Sequence, residues 1–276
     1  MSDALQNPLY LVVALQSEAN PLIEQFSLKA VRNGPLRYFE RDTVRLMISG
    51  IGKTSTAAAT AALLHGRDDL DKAVCLNIGI AGHASLDLGT LFVAHRISDV
   101  ASGKHWFPPL TFNPPCPTSQ LDTLDAPSGV YPDNTGLDME AAAFYPVASR
   151  YTEAELTQVV KIVSDTPEHS LEALDKQRVT QLVGDALPAI GQIVGRLDAL
   201  ACRQFDASPI RKRCDQFAER WHLTVSQQNT LRRLLERHQA LFRELPSVDS
   251  LARAANGKAL LKQLESSLVP EGGRAP

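Results

Sequence analysis

The stretch Gly136–Phe144, GLDMEAAAF, sets two carboxylates, Asp138 and Glu140, on either side of Met139 and then runs into alanines. Alanine is the strongest helix former and acids favour a helix N-terminus, so the stretch predicts a strand end or loop feeding a helix. Taken alone, such carboxylates could simply cap that helix. Two other stretches set acids in comparable places. Lys161–Asp165, KIVSD, is an apolar run that stops abruptly at Ser164-Asp165, and Leu11–Glu18, LVVALQSE, is another that ends in a carboxylate. Three strand-like runs, each ending near an acid, predict carboxylates gathered at the carboxyl edge of a sheet. In open α/β sheets that edge binds ligands, and carboxylates there can grip hydroxyls or move protons.

The elements needed to position these acids follow in chain order. Leu9–Leu15 reads as the first, central strand, and Asn20-Pro21 as the start of a helix with Leu22, Ile23 and Phe26 on one face. Asn33-Gly34-Pro35 is a turn signal; Leu36–Glu40 and Thr43–Ile48 read as two strands joined around Arg41-Asp42. SGIGK, Ser49–Lys53, precedes an alanine-rich helix over Thr54–Leu64. It is not a phosphate loop, because Met47 stands where GxxxxGK[ST] requires glycine. Its glycines either bring free N–H groups to a helix N-terminus or simply turn the chain. Ala73–Ile78 reads as a buried strand ending in a small-residue turn, Gly79-Ile80-Ala81-Gly82, that lets a ligand approach the backbone; the pattern is not GxGxxG, so no dinucleotide is indicated. Leu91–Ile97 is a further strand. Ala101–Thr135 is a long Pro-, Ser-, Asp- and Gly-rich loop carrying His105, Trp106, Phe107 and Phe112, with room for one short strand near Ser119–Leu124. Ala141–Ser149 is a helix, Leu156–Val163 a strand, and Leu171–Leu200 one or two helices interrupted at Pro188.

The chain has 276 residues, 44% hydrophobic and 21% charged, which fits one large domain with an appendage. The net charge of −3 is uneven: residues 204–276 carry 12 basic and 8 acidic side chains, the rest 16 and 23. That change of sign predicts two units, 1–203 and 204–276. In the second, Pro209–Glu219, Val225–Arg243 and Val248–Leu268 read as helices, with Thr224 or Ser226 as a cap and Pro270–Pro276 as a disordered tail. Trp221–His238, WHLTVSQQNTLRRLLERH, has some flavour of a DNA-binding helix pair, but an excess of four positive charges is weak for that, and an amphipathic helix with a solvated basic face explains it as well. Nucleic acid is therefore not an expected partner. Cys75, Cys116, Cys202 and Cys214 form no CxxC pair and no Cys/His spacing resembles a zinc site, so no metal and a reducing, cytoplasmic setting are expected. MSDALQNPLY lacks a basic leader, and no apolar run approaches a membrane span.

In this order the pieces VVALQSEANPL, SGIGKTSTA, LNIGIAGHASLDLGTLFVA, LDMEAAAF and IVSDTPE resemble the nucleoside phosphorylase/nucleosidase superfamily, most closely the methylthioadenosine/S-adenosylhomocysteine nucleosidases. The resemblance covers about the first 200 residues and leaves out the tail from Gln204. It implies a three-layer α/β/α sandwich around a central mixed sheet, and cleavage of the N-ribosidic bond of a nucleoside without a cofactor. By the match, Asp165 is the acid that protonates the purine at N7, and Glu18 holds or deprotonates the attacking water. Glu140 grips the ribose hydroxyls with Met139 packed against the sugar, and Ile80, Ala81, Gly82 and Ser164 complete the substrate site.

The resemblance also bears on the nucleophile. Hexameric phosphorylases carry Gly-Asp-Pro and a nearby Arg after the first strand to hold phosphate; here Gln16-Ser17-Glu18 stands there. They also place an Arg before the glycine turn, where this chain has Cys75, Leu76 and Asn77. Both differences favour water, with phosphorolysis or a non-catalytic nucleoside-binding protein as the alternatives. The chain departs from the family at Ile80, where a hydroxyl residue is usual, and in a short base-recognition segment reduced to Thr123–Tyr131. The resemblance further implies a homodimer, with Trp106 and Phe107 as candidates to reach the neighbouring subunit's site.

Overall fold

The computed structural model describes residues 5–31, 36–169, 174–203, 208–252 and 254–268. The expected turn at Asn33-Gly34-Pro35, the expected helix start at Leu171 and the tail Pro270–Pro276 lie outside them. The chain divides into two compact units, Met1–Gln204 and Phe205–Pro276.

The first unit is an α/β sandwich around a ten-stranded mixed sheet. Its centre is β1 (Leu9–Val13), LYLVV, buried at every position. A strand covered on both faces has no polar side, which is why it reads as one apolar run. Alternate side chains feed opposite layers. Leu9, Leu11 and Val13 join the core under α1 (Gln16–Gln25) and α4 (Lys176–Arg203), whereas Tyr10 and Val12 join the core under α2 (Lys53–Leu64) and α3 (Ala141–Ala148). β1 pairs in parallel with β4 (Val44–Ile48) and β5 (Val74–His83). Beyond β4 the sheet ends in the antiparallel strands β3 (Arg37–Arg41) and β2 (Lys29–Val31), the β3–β4 hairpin turning at Asp42 with φ 52°.

On the other side the sheet closes on itself. β5 pairs with β10 (Thr157–Asp165), β10 with β6 (Leu91–Asp99), β6 with β8 (Thr118–Thr123), β8 with β9 (Thr135–Asp138), and β9 with β5 again. The ring is tight: a Cβ on Gly136 would lie 2.7 Å from the Phe92 ring. β7 (Lys104–Trp106) pairs antiparallel with the end of β6.

Several elements differ from the sequence reading, each for a local reason. Gly79–Gly82 is not a turn: β5 runs on to His83, because β10 pairs with it through Gly82 and β9 pairs with Gly82 and His83 from the other side. The helix after β1 starts at Gln16, so Pro21 is internal. A proline leaves the carbonyl four residues back without its helical donor, and Thr180 Oγ1 of α4 donates to that carbonyl, Ser17 O, at 3.1 Å. α4 likewise runs unbroken through Pro188, held by buried Leu182, Ile190, Ile193, Val194 and Leu197.

The second unit holds α5 (Ser208–Arg220), α6 (Val225–Phe242) and α7 (Gly257–Ser267) around Ile210, Phe217, Trp221, Leu231, Leu235, Leu260 and Leu264. Thr224 caps α6, its hydroxyl accepting from Gln227 N–H while the Gln227 side chain accepts from Thr224 N–H. The expected single helix over Val248–Leu268 is instead a short 3-10 turn at Asp249–Leu251 and then α7, because Asn256 accepts from Ala259 N–H and begins a new helix. Among the described residues, no helix is long and apolar enough to cross a membrane.

Candidate functional site

The carboxyl ends of β1, β5 and β10 lie side by side, and β9 delivers Glu140 to the same place through its pairing with β5. The result is a cleft of about 670 Å³ lined by Glu18, Ile80, Ala81, Gly82, Met139, Glu140, Ser164 and Asp165, among others. Such a volume suits a small organic ligand.

Glu18 sits in the first turn of α1 and is buried. Its Oε2 accepts from the N–H groups of Ala14 at 2.9 Å and Leu15 at 2.8 Å, and its Oε1 from Ile80 N–H at 3.0 Å. These three bonds tie the carboxylate to the ends of β1 and β5. Gly79 makes the approach possible, since a Cβ there would fall 2.9 Å from Glu18 Oε1. Burial raises the Glu18 carboxyl above its ordinary value, against the pull of Lys161 and of the three backbone donors.

Lys161, in the middle of β10, was not singled out from the sequence. Its side chain is buried, with Nζ 2.8 Å from Asp138 Oδ2 and 4.0 Å from Glu140 Oε2. Burial pulls the amine's proton affinity down, but Asp138, Glu140 and Glu18 outweigh it and hold Lys161 above the ordinary lysine value. The signal was present in the sequence: a charged residue inside a run as apolar as VVKIV must have a buried partner.

Asp138 therefore does more than cap. Its Oδ2 accepts from the N–H groups of Glu140 and Ala141 at the start of α3, its Oδ1 accepts from Thr123 Oγ1 at 2.7 Å, and it neutralises Lys161. Glu140 points its Oε1 at Gly52 N–H, 2.8 Å away. The SGIGK turn thus spends its backbone donor on a carboxylate; Gly50 and Gly52 take φ of 83° and 93°, which glycine alone adopts freely. Lys53 turns away to Asp99 and Asp125, each at 2.7 Å. Burial raises the Glu140 carboxyl, with Lys161 opposing.

Asp165 closes β10 opposite Gly82. Ser164 Oγ donates to its Oδ1 at 2.5 Å, and Tyr131 Oη donates to its Oδ2 at 2.6 Å. Gly82 leaves room for both: a Cβ there would meet Asp165 Oδ2 at 2.5 Å and Tyr131 Cε1 at 2.6 Å. In the sequence, Tyr131 stands out only as the end of the shortened segment Thr123–Tyr131.

Trp106 and Phe107 do not line this cleft. Trp106 packs on the core beneath α3, and Phe107 is 67% exposed. Among the described residues, no group of three or more His, Cys, Asp or Glu side chains is arranged to hold a metal ion. What the cleft offers is a pair of acids with distinct surroundings, Glu18 among backbone donors and Asp165 among hydroxyls, and a third acid, Glu140, 4.0 Å from the buried Lys161 ammonium.

The chain has the nucleoside phosphorylase/nucleosidase fold. It is similar to the Arabidopsis thaliana 5′-methylthioadenosine nucleosidase, with a TM-score of 0.57 and 16% identity over 69% of this chain and 96% of that one. The Colwellia psychrerythraea 5′-methylthioadenosine/S-adenosylhomocysteine nucleosidase in complex with adenine gives 0.56 and 20%, over 69% and 96%. A futalosine hydrolase mutant of Helicobacter pylori gives 0.50 and 16%, over 68% and 99%. No protein-family model and no curated protein matches the chain.

Proposed function

We propose that this protein is a nucleosidase that cleaves the N-ribosidic bond of an adenosine-type purine nucleoside with water as the nucleophile. The observation that carries the reading is that Glu18, Glu140 and Asp165, which come from separate elements, all line one cleft. As in glycoside hydrolysis, the bond breaks through an oxocarbenium-like sugar, which needs an acid for the leaving group and a base for water. Asp165 gives its proton to purine N7 as the bond between N9 and C1′ breaks and its electron pair leaves with the base. Water bonds to C1′ and passes its proton to Glu18, which its raised affinity for protons suits to the task. Glu140 accepts from the ribose hydroxyls with Met139 against the sugar, beside the Ile80–Gly82 backbone. Lys161 offsets the charges of Glu18, Glu140 and Asp138.

Phosphate fits this cleft poorly. Glu18, Asp138 and Glu140 surround one ammonium, and phosphorolysis would add a further anion. The adenine held by the Colwellia nucleosidase is the class of leaving group proposed here. The reading includes a homodimer in which Trp106 and Phe107 reach the partner's cleft; light scattering at micromolar concentration tests it, a strict monomer counting against it.

The test of the function is to incubate the purified protein with a panel of nucleosides, with and without phosphate, and to follow released base and sugar by chromatography. The expected result is free base and free sugar at a rate indifferent to phosphate. Sugar phosphate formed only when phosphate is present would make the enzyme a phosphorylase, and no base from any nucleoside would make it a binding protein.

A further inference from the structure

His83 ends β5 with its side chain buried and its ring edge-on to Phe92, the centroids 5.5 Å apart. Its hydrogen bonds fix both its charge and its tautomer. Nδ1 accepts from two backbone donors, Ser85 N–H at 3.0 Å and Leu86 N–H at 3.1 Å. A ring nitrogen that takes N–H groups carries no proton, so the proton of the neutral imidazole is on Nε2. Nε2–H therefore donates to Ser119 Oγ, 2.9 Å away, and the Ser119 hydroxyl donates onward to Asn134 O at 3.1 Å. Burial holds His83 below the ordinary histidine value and so favours the same neutral form.

The other side of the ring leads to the same residue. Ser85, tied to Nδ1 by its N–H, accepts from Asn134 N–H on its Oγ at 3.0 Å. One imidazole thus fixes two serines, and the two serines take both backbone groups of Asn134. That residue needs holding, because its φ of 54° lies in the left-handed region, which costs a residue with a Cβ. Asn134 is also a junction. After it β9 begins, held by β8 and β5. Before it runs a segment outside any helix or strand, whose Leu124, Ala126, Pro127 and Ser128 line the cleft and whose Tyr131 donates to Asp165 Oδ2 at 2.6 Å. The far end of this segment is tied by Leu124 N–H to Asp138 O and by Asp125 to Lys53. Its near end rests on the serines that His83 holds.

We propose that His83 is a positioning residue for Asp165: by fixing Asn134 through Ser85 and Ser119 it seats Tyr131, whose phenol on Oδ2, with Ser164 on Oδ1, sets the plane of the carboxyl group. The proposal rests on the nucleosidase reading for the role of Asp165 as acid; the seating of Tyr131 does not depend on it. A carboxyl group held at both oxygens is aimed before the base arrives, whereas a rotating one is aimed for part of the time. The protonated oxygen can donate to the base and still accept from the phenol, so Tyr131 stays in place through the reaction.

The test puts a fluorotyrosine in place of Tyr131 and follows its fluorine NMR resonance in the wild type, His83→Phe, Ser85→Ala and Ser85→Thr. Alongside, kcat and KM for base release are measured on the unlabelled proteins, with and without Tyr131→Phe. His83→Phe keeps a ring and removes both nitrogens. Ser85→Ala deletes one bond to Asn134 from an exposed position, so it tests the same link if His83→Phe does not fold. Ser85→Thr restores the hydroxyl. The resonance should move toward its unfolded position in Ser85→Ala, further in His83→Phe, and hold in Ser85→Thr. One hydrogen bond is worth about fivefold, so kcat should fall by up to about that factor in Ser85→Ala and by more in His83→Phe, with KM nearly unchanged. Neither substitution should slow a protein that already carries Tyr131→Phe.

A resonance that ignores Ser85→Ala and folded His83→Phe overturns the proposal and leaves hydrolysis standing. A resonance that moves while kcat holds, or a kcat that falls equally in the Tyr131→Phe background, also overturns it, because His83 then does not act on Asp165 through Tyr131. If the wild type cleaves no nucleoside but the resonance moves as expected, the seating of Tyr131 by His83 stands and the hydrolytic reading falls.

Discussion

Lys161 Nζ lies 2.8 Å from Asp138 Oδ2 with both side chains shut off from water. Asp138 lines the cleft, and the pair bears on the protonation of Glu140, as Lys161 does on that of Glu18. Lys161 is the cation shared by Asp138, Glu140 and Glu18, while Asp138 also closes the N-terminus of α3. Removing one member leaves an uncompensated buried charge, which costs more than the pair itself contributes.

Lys161→Met should accordingly destabilise the first unit by about 3–5 kcal/mol, read by urea denaturation, and raise the pH at which Glu18 ionises. Asp138→Asn keeps an acceptor for α3 but removes the counter-charge. If Asp138 were a cap alone the cost would be about 1 kcal/mol; with Lys161 buried against it, a clearly larger loss is expected. A loss near 1 kcal/mol would mean that Lys161 finds compensation from Glu140 and Glu18 without Asp138.

Gly82 is the next test. A methyl group there would meet both Asp165 Oδ2 and Tyr131 Cε1, and neither can yield without leaving its partner. Gly82→Ala should cost roughly 1–3 kcal/mol by overpacking and depress base release strongly. Gly191→Ala is the contrast: it lies within α4 with nothing within 4 Å of an added Cβ. It should stabilise by about 0.5–1 kcal/mol, as alanine does in a helix, with activity unchanged. Thermal melts and base-release assays on the two variants decide.

These relationships show what the sequence could and could not say. Glu18, Glu140 and Asp165 were legible because an apolar run stops next to each, and a strand that is buried on both faces must stop where it meets solvent or a ligand. β1 and β10 were placed to within two residues for the same reason. Gly79–Gly82 was misread as a turn because small residues mark turns locally, whereas pairing from β10 and β9, far away in sequence, keeps them in a strand. Lys161 was hidden by its neighbours, although its charge amid valines and isoleucine was the clue. Tyr131 could not be found at all. It sits in a Pro- and Gly-containing segment with no periodicity, and its place over Gly82 depends on ties at Asp125 and Asn134 that no local pattern encodes.

The pH dependence follows from Glu18. Its carboxyl is raised above 4.5 by burial, so the folded protein holds this proton to higher pH than the unfolded chain. The linkage sign is then fixed: the contribution of Glu18 to stability is most favourable below 4.5 and diminishes as pH rises from there through the folded value. Activity runs the other way, because the base must be ionised to take a proton from water. Profiles of kcat/KM should therefore fall on the acid side through an apparent pKa above 4.5, while stability measured over the same interval declines with rising pH after the contributions of the other acids are matched with a Glu18→Gln variant. An acid limb at or below 4.5 would remove Glu18 from the role of base.

Asp165→Asn bears most directly on the chemistry. The amide keeps the size of the carboxyl and can still accept from Ser164 or Tyr131, whose hydroxyls hold the two oxygens at 2.5 and 2.6 Å. It cannot deliver a proton to N7. General acid catalysis contributes roughly 10²–10⁴-fold, so turnover should fall by about that factor. Binding of adenine should survive, weakened by no more than a lost hydrogen bond. Single-turnover base release separates the chemical step from binding and product release. A variant that releases base as fast as the wild type would show that the leaving group departs without help from Asp165, and that Glu18 and Glu140 act in a mechanism other than the one proposed.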